Sequence, residues 1–381
     1  MLPVTIWMNM PSFHQDDLFR ELSARVDLQV IYDHPMTNDR KELGWAEVKS
    51  EYNSRVLVQN RKLRHAVSIA RSERDRVHII NGIWAERTFA AVAFVLGNAG
   101  TSFAIYSEAP NILVSRSLPK RIARSFVGRW VACRASGLLA VSHLASDYYG
   151  GLGFPNNKIY PFGYFHSSPV ELEAELNAGG VDIVYVGRVS RPKGIDILME
   201  AIRPLLKKVP QLQLSLIGTC AEHAAIEAVL RRDGLLGRVV LEGVYPSSRI
   251  HKRLARASAL VLPSRWDGWG VVINEAFSAG IPVIASDRCG GADLILHGVN
   301  GYRFRSEDVD DLRGCLTAFL CADQTKMRMA ARKTGSALTI PLVSDYLVAC
   351  LEHMCGMRLS RPMPPWLEPP DAFPELVATT R

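Results

Sequence analysis

Leu260-Val261-Leu262-Pro263-Ser264-Arg265-Trp266-Asp267-Gly268-Trp269-Gly270-Val271-Val272-Ile273-Asn274-Glu275-Ala276 runs from an apolar stretch through a glycine-containing loop into a helical pattern. The opening run, 260–263, reads as a buried strand closed by proline. Gly268 and Gly270 then open the backbone, so that amide N–H groups can face an anion. The expected helix, 272–279, adds the positive end of its dipole to the same spot. Asp267 lies in the loop, and Glu275 follows about one turn into the helix. An ionised carboxylate accepts hydrogen bonds from two neighbouring hydroxyls, which suits a sugar or a ribose. The plainer reading is a capping Asp and a helix-surface Glu. For Glu275 that reading is weakened by its neighbours, which are apolar or small from Val271 to Gly280. An unpaired carboxylate among them is costly.

The same strand–loop–helix unit recurs on both sides. Upstream, a strand at 183–186 leads into Gly187-Arg188-Val189-Ser190-Arg191-Pro192-Lys193-Gly194. Gly187 permits close backbone approach. Arg188 and Lys193 place two cations at a strand end, where they can stabilise charge developing on a diphosphate leaving group. Taken alone, this loop reads more readily as a solvated surface turn, since basic loops are common. Downstream, a strand at 283–285 is followed by Ser286-Asp287-Arg288-Cys289-Gly290-Gly291-Ala292-Asp293, a second close approach or a simple turn.

Further strands are expected at 212–217 and 239–241, with helices at 196–208 and 249–257 between the runs. The first half has the same rhythm: strands at 4–8, 28–32, 77–80, 103–106 and 138–141, and a helix opening at Asp16 and Asp17. Strands alternating with helices imply parallel sheets covered on both faces. The rhythm breaks at 166–180, the expected linker. A helix at 342–355 after Pro341 precedes a tail containing Pro362, Pro364, Pro365, Pro369 and Pro370, an extended strap or a disordered segment. The expected organisation is therefore an N-terminal domain over 1–165, the linker, a C-terminal domain over 181–340, and a C-terminal segment over 341–381. A length of 381 residues exceeds what one core usually organises.

Composition narrows the classes. Hydrophobic residues at 48% and charged residues at 22% describe a globular chain, not a disordered one. The net charge of +7 fits an anionic surface or a phosphorylated substrate as well as nucleic acid. The cysteine count, seven, is odd and the spacing is irregular, which argues for a reducing compartment and against disulfides or a zinc site. The N-terminus has no signal-peptide pattern. No run approaches the ~18 apolar residues of a spanning helix.

In combination these motifs resemble family-4 retaining glycosyltransferases of the GT-B fold. They are G-R-x-x-x-x-K-G, then L-P-S-x-x-[DE]-G-x-G-x-x-x-x-E-A-x-x-x-G-x-P-V-I-A, then G-x-x-G-Y, spanning about 183–305. The resemblance implies two Rossmann-like doubly wound α/β domains facing a cleft, with a final helix crossing back to the first. It implies that Arg188 and Lys193 bind the donor diphosphate, that Glu275 binds ribose, and that Asp267 touches the donor sugar. Gly187, Gly268, Trp269, Gly270 and Val271 complete the donor set. This chain has Asp267 where the family usually has Glu, and Trp269 where it commonly has Phe. The glycine pair usual in the first N-terminal loop is replaced by Met10-Pro11-Ser12-Phe13-His14-Gln15-Asp16.

The expected activity is transfer of a sugar from a nucleotide-sugar to a glycan or lipid-linked acceptor with retention, in bacterial surface polysaccharide synthesis. No metal or other cofactor and no nucleic acid are expected. The expected location is cytoplasmic, with a peripheral position on the inner membrane face as an option. His14 and Glu108 rank first as strand-end residues for the acceptor or the reacting sugar, with Ser107 and His143 behind them. Asp308-Val309-Asp310 reads as the acidic start of a helix after Ser306, not as a metal motif. Arg116, Lys120, Arg121, Arg124, Arg129 and Arg134, interleaved with Ile122, Phe126 and Trp130, could meet an anionic leaflet. The preferred reading of that stretch is a surface helix with a solvated face. Competing readings are a sugar phosphorylase or epimerase on the same fold, and a non-catalytic nucleotide- or glycan-binding partner. A dehydrogenase is disfavoured, because no G-x-G-x-x-G turn follows the first strand.

Overall fold

Strands buried on both faces carry mostly apolar side chains on both faces, which is why the central strands read as largely apolar runs. A computed structural model describes residues 1–38, 50–84, 86–111, 118–165, 167, 180–221 and 223–367. Of the expected linker only Ser167 and Gly180 fall within these; Arg116, Pro369 and Pro370 lie outside the described residues.

The first sheet contains β1 (Pro3–Met8), β2 (Asp27–Tyr32), β3 (Ser54–Val56), β4 (Val77–Asn81), β5 (Phe103–Glu108), β6 (Gly137–Val141) and β7 (Ile159–Phe162). Its seven strands are ordered β3-β2-β1-β4-β5-β6-β7 and pair in parallel throughout. The described helices joining them are α1 (Phe13–Ser23), α2 (Lys62–Ser72), α3 (Arg87–Ala99), α4 (Leu118–Arg134) and α5 (Ser142–Gly151).

The second sheet contains β8 (Val181–Val186), β9 (Leu212–Ile217), β10 (Val239–Gly243), β11 (Ala259–Leu262), β12 (Val283–Ser286) and β13 (Gly301–Phe304). Its six strands are ordered β10-β9-β8-β11-β12-β13, again all parallel. Helices α6 (Ile195–Lys208), α7 (His223–Arg232), α8 (Ser247–Ala255), α9 (Val272–Ser278), α10 (Val309–Cys321) and α11 (Gln324–Ser336) accompany it, and α12 (Ile340–Met354) follows. Both sheets are Rossmann-like. Strand order reverses between β1 and β4 in one and between β8 and β11 in the other, and such switch points are where open α/β sheets take ligands.

The chain divides into two compact units, Met1–Ser167 with Thr339–Glu368, and Ser168–Leu338. α12 thus belongs with the first sheet. Tyr346 donates to the Pro161 carbonyl at 3.0 Å, Tyr160 and His353 share a 2.6 Å hydrogen bond, and Asp345 pairs with Arg25 at 2.7 Å. As far as Leu367 the proline-rich tail is a strap on this unit. Pro362 and Pro364 are buried, and Trp366 packs 4.7 Å from Phe165 and 5.3 Å from Tyr346, centroid to centroid. No single described helix is long and apolar enough to cross a membrane.

Several boundaries differ from the sequence-based expectation. α1 begins at Phe13 with Ser12 as its cap, and Asp16 instead pairs with Arg20 at 2.7 Å, one turn on. Asp308, not Ser306, caps α10, its carboxylate accepting from the Asp311 amide at 2.9 Å. Three unanticipated strands, β3, β7 and β13, are all sheet edges. Edge strands are short and half-covered, so their apolar signal is weak. β7 even contains Pro161, whose missing N–H is tolerated only at an edge.

A part-buried ion cluster ties α8 to the second sheet. Arg253 reaches Asp182 on β8 and Glu242 on β10 at 2.7 Å each, and Ser215 on β9 at 2.9 Å. Burial would push the Glu242 carboxyl up, but hydrogen bonds from Arg253 and Tyr245 hold it below its ordinary value. Arg253→Ala strands two carboxylates and is expected to cost about 3–5 kcal/mol in urea unfolding. A loss below about 1 kcal/mol would assign the cluster the minor weight of a surface pair.

Candidate active site

In the second unit the loops after β8 and β11 meet because Gly194 allows it. Its φ is +73°, and a Cβ there would lie 1.9 Å from the Pro263 carbonyl oxygen. That contact sets Lys193, the last residue of a 3-10 turn, beside Asp267, and the two side chains pair at 2.6 Å, both partly exposed. The Tyr185 hydroxyl donates to the Arg188 carbonyl at 2.8 Å and fixes the start of the same loop. The Arg188 side chain is exposed and makes no ion pair among the described residues. Arg265, by contrast, is committed to Asp196 and Glu307, each at 2.8 Å.

Asp267 is held by backbone bridging to Cys289: its amide donates to Arg288 at 3.0 Å, and its carbonyl accepts from Gly290 at 3.0 Å. Gly270 turns the chain with φ +82°. Trp269 is buried and donates to the Asn274 side chain at 2.9 Å, so its indole is a structural plug. Gly268 and Val271 flank it, half-buried. α9 has only seven residues, which shortens the dipole expected at its start. Glu275 lies in its first turn, 6% exposed, and burial pushes its carboxyl up to about 7. Gly187 receives the neighbouring loop: a Cβ on Gly218 would meet its carbonyl oxygen at 1.9 Å.

In the first unit Glu108 ends β5 and lines a polar pocket of about 390 Å³ with Asn81, Trp84, Ser107, Arg124 and Tyr164. A relay fixes its wall: Trp84 donates to the Tyr149 hydroxyl at 3.1 Å, which donates to Ser107 at 2.9 Å. Arg124 lies over the Trp84 ring at 5.0 Å. His14 is not among the residues lining this pocket; it is the second residue of α1, its ring 3.8 Å from that of Phe13. His143 follows Ser142, whose φ of +76° marks a strained strand–helix turn. Among the described residues one trio, Asp33, His34 and Glu86, has ligand atoms close enough to share a metal, but the Lys62 ammonium sits 2.5 Å from Asp33.

Residues 180–321 match the glycosyl transferases group 1 family. The second unit is a group 1 glycosyltransferase domain. The alpha-D-kanosaminyltransferase of Streptomyces kanamyceticus is 25% identical over 46% of this chain and 44% of its own length. The chain spans less than half the length of the curated relatives it matches. Anabaena HepE, solved with UDP, superimposes with a TM-score of 0.68 at 16% identity, over 92% of this chain and 100% of that one. Its complex with UDP-glucose gives 0.62 at 17%, over 92% and 99%. These likenesses make the fold GT-B.

The group 1 domain brings together Lys193, Asp267 and the backbone around Gly270, all named from the sequence. Two residues escaped that reading. Tyr185 looked like one more apolar strand position. Trp84 follows Asn81-Gly82, a turn signal at a strand end that could have flagged it.

The group 1 domain also makes a stability prediction. The folded Glu275 carboxyl lies at about 7 against an ordinary 4.5, so the native state loses stability as pH rises through that window. Glu275→Gln removes the penalty. Its advantage over the parent in unfolding free energy should grow between about pH 4.5 and 7 to roughly 3 kcal/mol and then level off. A pH-independent difference would mean that Glu275 ionises normally.

Proposed function

We propose that the chain is a retaining glycosyltransferase whose second unit binds a nucleotide-sugar and whose first unit receives a glycan or lipid-linked acceptor, in bacterial surface polysaccharide synthesis. The observation that carries the reading is the Lys193–Asp267 pair at 2.6 Å in the same domain as the buried Glu275. Arg188 and Lys193 offset the diphosphate charge as the glycosidic bond breaks, in place of a metal ion. Asp267 accepts from sugar hydroxyls and Glu275 from the ribose diol. No protein nucleophile is assigned; the departing phosphate oxygen takes the acceptor proton, and the sugar is attacked on the face the diphosphate leaves. The UDP and UDP-glucose complexes of HepE support a nucleotide donor and make UDP-sugars the first to try.

The test is calorimetry with UDP-, GDP- and ADP-glucose, followed by turnover assays with the bound donor. Lys193→Ala should lower kcat by about a hundredfold or more while changing donor affinity far less. Near-normal turnover would remove Lys193 from the chemistry, and turnover abolished by EDTA would overturn the metal-free scheme.

Ribose hydroxyls favour the ionised form of Glu275, so donor affinity should rise as pH approaches about 7 and plateau above it. The diphosphate diester of a nucleotide-sugar stays fully ionised there and contributes no slope. Glu275→Gln should bind weakly with a flat profile; a parent-like slope in that variant would overturn the ribose assignment.

A further inference from the structure

Next to the polar pocket of the first unit lies an apolar one. A groove of about 520 Å³ runs between α3 and α4, lined by Ile83, Phe94, Phe126, Val127 and Trp130 among others, with no charged residue. The two cavities are flanked by consecutive residues, Ile83 in the groove and Trp84 in the pocket, and by Phe126 and Arg124 of the same helix. The groove is open: Phe126 is 72% exposed and Phe94 59%. Large apolar side chains left clustered at a surface mark a binding face.

Charge says what covers it. α4 carries Lys120, Arg121, Arg124, Arg129 and Arg134 and no acidic residue. A second copy seated on this face would set these cations against each other, whereas an anionic amphiphile complements them. Arg124 lines the polar pocket together with Glu108, and one of its guanidinium nitrogens, Nη1, is buried and has no hydrogen-bond partner. A buried donor of this kind costs free energy until an acceptor arrives. Trp84, locked by its bond to Tyr149, keeps the guanidinium plane in place.

We infer that the acceptor is an amphiphile, its phosphate-class anionic head at Arg124 in the polar pocket and its apolar chain in the α3–α4 groove. The inference rests on the transferase reading above and selects the lipid-linked class from the two acceptor classes named there. It also gives the basic face of α4 the task of meeting the anionic surface that presents such a lipid.

The test titrates dodecyl phosphate, below its micelle concentration, into the full chain by calorimetry, with inorganic phosphate and dodecyl maltoside alongside. Dodecyl phosphate should bind about a hundredfold or more tighter than inorganic phosphate, because the buried chain adds to the head-group contact. Phe126→Ser, at an exposed position that should not disturb folding, should weaken dodecyl phosphate about tenfold and leave inorganic phosphate unchanged. Arg124→Gln should weaken dodecyl phosphate but not dodecyl maltoside. Equal affinity for dodecyl phosphate and inorganic phosphate, or an undiminished Phe126→Ser, overturns the inference. So does concentration-dependent dimerisation abolished by Phe126→Ser without dodecyl phosphate binding, which would give the face to a second copy. UDP, GDP and ADP are titrated into the same samples. Nucleotide binding with no dodecyl phosphate binding sinks this inference alone. Failure of all three nucleotides sinks the transferase reading on which it rests.

Discussion

The second unit depends on one close contact, Gly194 against the Pro263 carbonyl, where a Cβ would stand 1.9 Å from the oxygen. β8 and β11 are neighbours in the sheet although β9 and β10 separate them in the chain. Their loops therefore emerge side by side, and only a residue without a side chain lets them touch. Lys193 and Asp267 follow from that contact. A half-exposed pair of this kind contributes ~0–1 kcal/mol to stability, so folding gives little reason to keep it. Its effect is positional: the ammonium is held at the switch point of the sheet before any ligand arrives, which lowers the ordering cost of binding.

That dependence explains what the sequence made legible. Core strands announce themselves through runs such as Ala259–Leu262, because burial on both faces favours apolar side chains at successive positions. Three of the four edge strands do not: β3, with Val56 exposed, and β7, with Pro161, look like loops until they are paired, and β13 was missed as well. Arg188, Lys193, Asp267 and Glu275 could each be named from spacing and chemistry. That Lys193 touches Asp267 could not, because the contact needs the strand order, and chain order does not supply it. α1 shows a local limit. Two adjacent acids suggested a helix start, yet Ser12 is the better cap because its short side chain reaches back to the His14 amide.

The first unit shows a different limit. Arg124 belonged to a run of cations, and a charge run read along the chain does not say which member turns inward. In the fold it lies over Trp84, while its neighbours on α4 stay exposed. His14 and Glu108 occupy equivalent topological positions in the sequence, each after a strand. Only Glu108 lines the pocket, because it still belongs to β5, whereas His14 has already been drawn into α1.

Two acids in the second unit, Glu242 part-buried and Glu275 buried, separate structure from function. Glu242 is surrounded by donors and cations, and they hold its carboxyl below the ordinary value. Burial there is balanced within the fold, as expected for a group that fastens α8 to the sheet. Glu275 is buried more deeply, and desolvation drives its carboxyl up to about 7. A carboxyl poised near neutrality at a sheet's switch point gains from a ligand that donates hydrogen bonds to its ionised form. The vicinal hydroxyls of a ribose are such donors, and that makes Glu275 the residue through which the fold's stability and the proposed donor binding oppose each other.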